Sequence, residues 1–239
     1  GVDVVRGDLD HPQAIRDTLE NIDSLFLVGS PFEAGVDAET KQGINVTNAA
    51  ITAGVSHVVY TSVADADKKT AIPHFDSKFK VEQHLVASGV AYTIIAPAFF
   101  YDNMMAPFVL PGLKEGAFAQ ALPANVKLQS ISVKNIGEYA ALALDNQARF
   151  NGKRINLAGD ELTGTNYADV LSAASKRQIN YVEAPIAEVR KFSEDMALMY
   201  EWFAAVGYSV DVGQLKLEYP EVEWETFSQW AGRQDWSVL

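Results

Sequence analysis

The 239-residue chain has no cysteine. That excludes disulfides, thiolate metal sites and a cysteine nucleophile, and it accords with a cytoplasmic protein. No apolar run approaches the ~18 residues of a membrane-crossing helix, so no membrane span is expected. Basic residues are few: 19 Lys and Arg face 31 Asp and Glu, for a net charge of −12. Nucleic-acid binding draws on a basic face, so direct contact with nucleic acid is not expected. Histidine is scarce too, with only His11, His57, His74 and His84. None sits at metal-ligand spacing, and no metal site is expected. Glycine-rich turns are missing as well: neither G-x-G-x-x-G nor G-x-x-G-x-x-G occurs. Such a turn is where a dinucleotide's pyrophosphate rests on a helix N-terminus.

What is present is a globular pattern. Hydrophobic residues make up 48%, enough for one large α/β domain or a domain with an appendage. Val2 to Val5 is a short apolar run that reads as a strand. His11 to Asn21 reads as a helix, with Asp10 as N-cap and Pro12 in its first turn. Ser24 to Val28 is apolar without alternation, the mark of a strand covered on both faces. Asp37 to Ala53 is a second helix, closed by Gly54. His57 to Ser62 and Tyr92 to Ala96 are further strands, with a helix between them. This alternation predicts a Rossmann-like, doubly wound parallel sheet. After Pro97 the rhythm changes. Strands are predicted at Lys127–Val133, Lys153–Leu157 and Asn180–Glu183, and helices at Lys134–Asp145, Asn166–Lys176, within Glu188–Val206 and at Trp224–Trp230. The second half reads as a smaller C-terminal α/β lobe.

The stretch H-F-D-S-K-F-K-V-E-Q-H-L, His74 to Leu85, reads as a helix preceded by Pro73, with Asp76 in its first turn. Phe75, Phe79, Val81, Leu85 and Val86 give it a buried side. His74, Lys78 and Glu82 recur every four residues and share a face. One reading of that face is a Lys78–Glu82 surface pair. The other is a working site, because a basic side chain near the C-terminal strand ends is where nucleotide folds act. Three strand ends point to the same rim: Asp8-Leu9, Gly29-Ser30-Pro31, and Pro97 to Asn103. An acidic residue at the first can accept from an adenine amino group, and a glycine at the second admits a flat ligand. The cluster Phe99, Phe100, Tyr101, Met104, Met105 and Phe108 suits either a flat apolar substrate or a core between lobes. Asp65, Asp67 and Asp76 read as a solvated loop and helix start.

V-V-R-G-D-L-D, L-F-L-V-G-S-P, A-G-V-S-H-V-V-Y-T-S, H-F-D-S-K-F-K-V-E and A-P-A-F-F-Y-D-N-M-M together resemble the NmrA-like family, atypical short-chain dehydrogenase/reductases, from Gly1 to about Trp230. The resemblance implies a single unit over residues 1–239. Residues 1–112 would be an NAD(P)-binding part, incomplete at its N-terminus, and 113–239 mainly a substrate lobe. It implies that Lys78 holds the nicotinamide ribose of NADP, or of NAD. It places Asp8 and Leu9 by the adenine, and Gly29, Ser30, Pro31, Phe100, Tyr101, Asp102 and Asn103 along the cofactor. Ser62 could match the serine of typical short-chain dehydrogenases, but His74 stands where those have the tyrosine of Tyr-x-x-x-Lys. His74 and Lys78 are therefore the catalytic candidates.

Two functions are compatible with this. One is NAD(P)H-dependent reduction of a small quinone-like or aromatic acceptor. The other is a non-catalytic NADP(H) sensor that regulates a protein partner. In the strand order 3-2-1-4-5-6, Val2–Val5 would be strand 3 and Ser24–Val28 strand 4, leaving a gap of about 14 Å. Roughly 45–55 further N-terminal residues, two strand–helix units with the phosphate turn, are expected to fill it.

Overall fold

The structure, a computed structural model, describes residues 2–239. In chain order it begins with helix α1 (Pro12–Thr18), strand β1 (Ser24–Val28), α2 (Pro31–Ala34), α3 (Val36–Ala53), β2 (His57–Thr61), α4 (Pro73–Ala87) and β3 (Ala91–Pro97). There follow β4 (Phe99–Phe100), α5 (Leu110–Lys114), β5 (Ala117–Gln120), β6 (Lys127–Ile131), α6 (Val133–Asp145), α7 (Gln147–Phe150) and β7 (Lys153–Leu157). The remaining elements are β8 (Asp160–Thr163), α8 (Gly164–Ser175), β9 (Asn180–Glu183), α9 (Ile186–Phe192), α10 (Glu194–Ala205), α11 (Val212–Glu218) and α12 (Phe227–Gly232).

The main sheet runs β1-β2-β3-β7. β1 pairs parallel with β2, Ser24 opposite His57, and β2 pairs parallel with β3, His57 opposite Ala91. Helical crossovers join these strands, so their C-terminal ends share one rim. This is the predicted α/β architecture. A three-stranded sheet, β4-β6-β8, and the pair β5-β9 complete the strands. The chain divides into two compact units. One takes the residues up to Ala96 and Tyr139–Ile155; the other takes Pro97–Glu138 and Asn156–Leu239. Among the described residues, no helix is long and apolar enough to cross a membrane.

In the first unit β2 is buried along its whole length. Val58, Tyr60, Leu27 and Ile94 form a core with Val46 and Ala50 of α3 and Val81 and Leu85 of α4. α3 ends as its sequence dictates, on Gly54 at φ 80°, a left-handed conformation that costs glycine little. α3 and α4 approach closely at Gly43, where a Cβ would lie 2.6 Å from Val81 Cγ2. Gly43→Ala is therefore expected to lower stability by about 1–3 kcal/mol, the usual cost of overpacking. The check is the urea midpoint, with partial recovery in Gly43→Ala/Val81→Ala. An unchanged midpoint in the single variant would contradict this packing.

Several expectations are corrected. Val2–Val5 is not a strand: Val2 and Val4 are 90% and 92% exposed, and among the described residues no strand pairs on the free edge of β1. β1 is consequently an edge strand with Phe26 and Val28 exposed, not covered on both faces. Asp10 does not cap α1; the N-cap is His11. Asp10 instead accepts from Lys41 Nζ at 2.8 Å and Gln42 Nε2 at 3.1 Å, tying the start of α1 to α3. Val86 is exposed because it lies off the stripe centred on Val81 and Leu85. The last helix starts at Phe227 rather than Trp224, because Thr226 forms a capping box with Gln229.

The second unit is centred on aromatic rings. Tyr167 meets Phe227 edge-on at 4.6 Å, Phe227 stacks on Trp230 at 5.4 Å, and Tyr101 meets Phe227 at 5.3 Å.

Candidate functional site

The rim of the first unit gathers the polar groups. Gly29 and Ser30 follow β1, and Pro31 opens α2 and is buried. α4 enters the rim from the loop after β2, with Pro73 in its first turn and Asp76 just behind. Lys78 lies on α4 and is largely covered. Its Nζ is 2.6 Å from Glu39 Oε1 on α3 and donates to the Gly29 carbonyl at 3.3 Å. Ser77 Oγ donates to the other Glu39 oxygen at 2.5 Å. Glu39 is buried, only 2% exposed. Of the two readings of this face, the Lys78–Glu82 surface pair does not form; Lys78 makes a buried pair reaching across two helices.

Glu82, one turn along α4, is buried and paired elsewhere. Arg154 of β7 donates from Nε to Glu82 Oε2 at 2.7 Å and from Nη2 to Oε1 at 3.2 Å. The same Nη2 donates to the Val63 carbonyl at 3.1 Å, and Nη1 lies 3.4 Å from Asp67. Ser62 donates its hydroxyl to Glu82 Oε1. Arg154 thereby ties together β7, α4 and the loop after β2. Asp65 in that loop is fully buried and bridged to Lys68 at 3.0 Å, not solvated as its loop setting suggests. Its backbone is left-handed at φ 60°, a conformation aspartate adopts more readily than most residues.

His74 sits at the start of α4 and is 7% exposed. Its ring meets Phe75 edge-on at 4.8 Å and lies 5.9 Å from Phe32 of α2. Asp8 is exposed; the Asp10 backbone N–H and then His11 hold its carboxyl below the ordinary aspartate range. Leu9 is half-buried, and its carbonyl accepts from Asn45 Nδ2 at 3.0 Å.

A cavity of about 240 Å³ lies at this rim, lined among others by Leu9, Gly29, Ser30, Glu39, Gln42 and Tyr60. It brings together three of the residues expected from the sequence, Leu9, Gly29 and Ser30. The Tyr60 hydroxyl is buried and has no hydrogen-bond partner among the described residues. Burial pushes its pKa well up, and the charges of Glu39 and Glu82 add to this. The carboxylates Glu33 and Glu39 on the lining disfavour phosphate. Leu9, Leu27, Val28 and Ala34 give the cavity an apolar wall beside these polar groups. No group of three or more carboxylate or histidine side chains suited to a metal ion occurs among the described residues.

Phe100, Tyr101, Asp102 and Asn103 belong to the second unit. Phe100 ends β4. Tyr101 is fully buried, its hydroxyl donating to the Glu225 carbonyl at 3.4 Å. Asp102 accepts from Val133 N at 2.9 Å, at the start of α6, and from Trp230 Nε1 at 3.3 Å. Asn103 sits in the short 3₁₀ turn Tyr101–Met105, its carbonyl accepting from Ala106 N at 3.1 Å. In the aromatic cluster, Met104 is buried while Phe108 is exposed.

Glu39 and Arg154 are the site residues that sequence reasoning missed. Glu39 left a signal: it falls on the buried stripe of α3 with Gly43, Val46, Thr47 and Ala50. A carboxylate on an apolar stripe implies a partner. Arg154 left none, since its strand, K-R-I-N-L, has no pattern that singles it out.

Comparison with known proteins bears on the family and the fold. Quinone oxidoreductase 2 of Escherichia coli (strain K12) is 30% identical over 182 residues, 76% of this chain; the chain spans 61% of that relative's length. The crystal structure of the NADPH-dependent quinone oxidoreductase QOR2 from Escherichia coli, complexed with NADPH, superposes with a TM-score of 0.81 at 25% identity, covering 97% of this chain and 83% of that one. NmrA, a negative transcriptional regulator in complex with NAD, shares the fold at a TM-score of 0.73 and 16% identity, over 98% of this chain and 84% of that one. The profile of the NmrA-like family matches residues 1–231. With that match added to the parallel sheet and the lysine-bearing helix at its rim, the chain belongs to the NmrA-like family.

Proposed function

We propose that this protein is an NAD(P)H-dependent oxidoreductase that reduces a small, flat acceptor of quinone-like or aromatic type. The observation that carries this reading is Lys78, whose ammonium is set at the strand-end rim by Glu39 and the Gly29 carbonyl. When bound, the reduced nicotinamide supplies hydride. Lys78 holds the adjoining ribose, Leu9, Gly29 and Ser30 line the sugar and base, and Asp8 stands beside the adenine. Pro31 starts the short helix that closes this side. Phe100, Tyr101, Asp102 and Asn103 enter the proposal through the family resemblance. NADP is the preferred cofactor in this reading, since the quinone oxidoreductase with which the chain aligns is NADPH-dependent. His74 is the proton source at the rim.

An ammonium has three N–H groups, and Lys78 already uses two. One remains for a ribose hydroxyl while both contacts are kept, fewer than the two hydroxyl contacts an unengaged lysine could make. Lys78→Ala is expected to weaken NADPH binding by about 1.5–3 kcal/mol, the range for a charge-assisted hydrogen bond. The experiment is a fluorescence titration of wild type, Lys78→Ala and the exposed control Lys80→Ala. Equal affinity in wild type and Lys78→Ala would refute the placement.

A further inference from the structure

We infer that Glu39 is the positioning residue for Lys78: it takes one N–H of the ammonium so that the remaining one is aimed at the cofactor ribose. This deepens the proposed function and rests on it. Three observations support the assignment. First, both Glu39 oxygens are taken by neighbours on α4, Ser77 and Lys78, so one buried carboxylate fixes the turn that carries the lysine. Second, a buried ion pair adds little net stability compared with an apolar pair of similar volume. Holding α3 against α4 would not require Glu39 and Lys78, because Gly43 and Val81 already bring the helices together. Third, the end of β1 is shaped around this carboxylate. A Cβ on Gly29 would lie 3.1 Å from Glu39 Oε1, and Gly29 also supplies the second acceptor for Lys78. A glycine there leaves room for the carboxylate and the ammonium at once.

A lysine side chain has four rotatable bonds and loses rotamer freedom when fixed. Glu39 makes that ordering part of folding rather than part of binding, which is preorganisation. The charge is as important as the geometry, because a neutral acceptor holds an ammonium less strongly than a carboxylate does.

The test is NADPH affinity, by titration, of Glu39→Gln, Lys78→Ala and the double variant, with thermal midpoints recorded for each. Glu39→Gln is expected to weaken NADPH binding by about five- to tenfold, a substantial part of a charge-assisted hydrogen bond. In the Lys78→Ala background the same substitution is expected to change affinity by less than about twofold, because coupled residues are not additive. Glu39→Asp keeps the charge but withdraws it by one methylene, and is expected to fall between wild type and Glu39→Gln. It also serves if Glu39→Gln fails to fold. An equal loss on substituting Glu39 in the presence and absence of Lys78 would show a structural role and overturn the inference. So would wild-type affinity in Glu39→Gln together with a loss in Lys78→Ala. A wild-type protein that does not bind NADPH, or a Lys78→Ala variant that binds normally, would instead overturn the proposed function itself.

Discussion

Arg154→Met is expected to lower the unfolding free energy by about 3–5 kcal/mol, the cost of leaving one partner of a buried ion pair uncompensated. Methionine replaces the length of the arginine stem but none of its donors. Glu82, 2% exposed, would keep only the Ser62 hydroxyl among the partners that Arg154 and Ser62 now provide. The Val63 carbonyl would also lose a donor. Water reaches such a group poorly, so the carboxylate must stay charged and unpaired, take up a proton, or move out with α4. Each course loosens the helix that carries Lys78. Removing both charges should behave differently. Arg154→Met/Glu82→Leu leaves no orphaned carboxylate, and much of the loss is expected to return. Urea unfolding of the single and double variants checks this. A double variant no more stable than Arg154→Met would mean that the charge pair is not what holds the clip.

His74→Phe is expected to lower kcat by about 10²–10⁴ with cofactor affinity nearly unchanged, the usual size of a general acid's contribution. Histidine is the side chain most often used as a general acid. Phenylalanine is the informative replacement because His74 packs between two rings, edge-on to Phe75 at 4.8 Å and 5.9 Å from Phe32. Another ring keeps that packing, so the fold should survive while the proton donor is lost. His74 stands one helical turn before Lys78 and on the same face, which puts it at the same part of the rim. A quinone can also take its proton from solvent. Steady-state rates with a quinone and with a carbonyl acceptor therefore separate the cases. An unchanged kcat on both acceptors would remove His74 from the mechanism.

Local pattern told much of the strand layout. Ser24–Val28, Lys153–Leu157 and Asn180–Glu183 are strands with the bounds their composition suggests. α3 stops at Gly54 because glycine alone adopts φ 80° easily. Short elements were harder to see. β5, A-F-A-Q, and β8, D-E-L-T, are four residues each and are set by their pairing partners more than by their own composition. The same limit hid the chemistry. A single sequence exposes neighbours three and four residues apart, which is why Glu82 is the partner it offers for Lys78. The partners that matter lie 39 and 72 positions away, Glu39 for Lys78 and Arg154 for Glu82. Tyr101 illustrates the reverse case. Its aromatic run suited a ligand wall or a core alike, and the structure buries it against Phe227 and Trp230.

The reductase reading is tested most directly by mixing the protein with NADPH and a panel of small quinones and following the loss of reduced nicotinamide. The account expects saturable oxidation that depends on both NADPH and quinone, and that falls in Lys78→Ala through a higher KM for NADPH. NADPH binding with no oxidation by any acceptor would contradict it and assign the protein to the sensors that act through a protein partner.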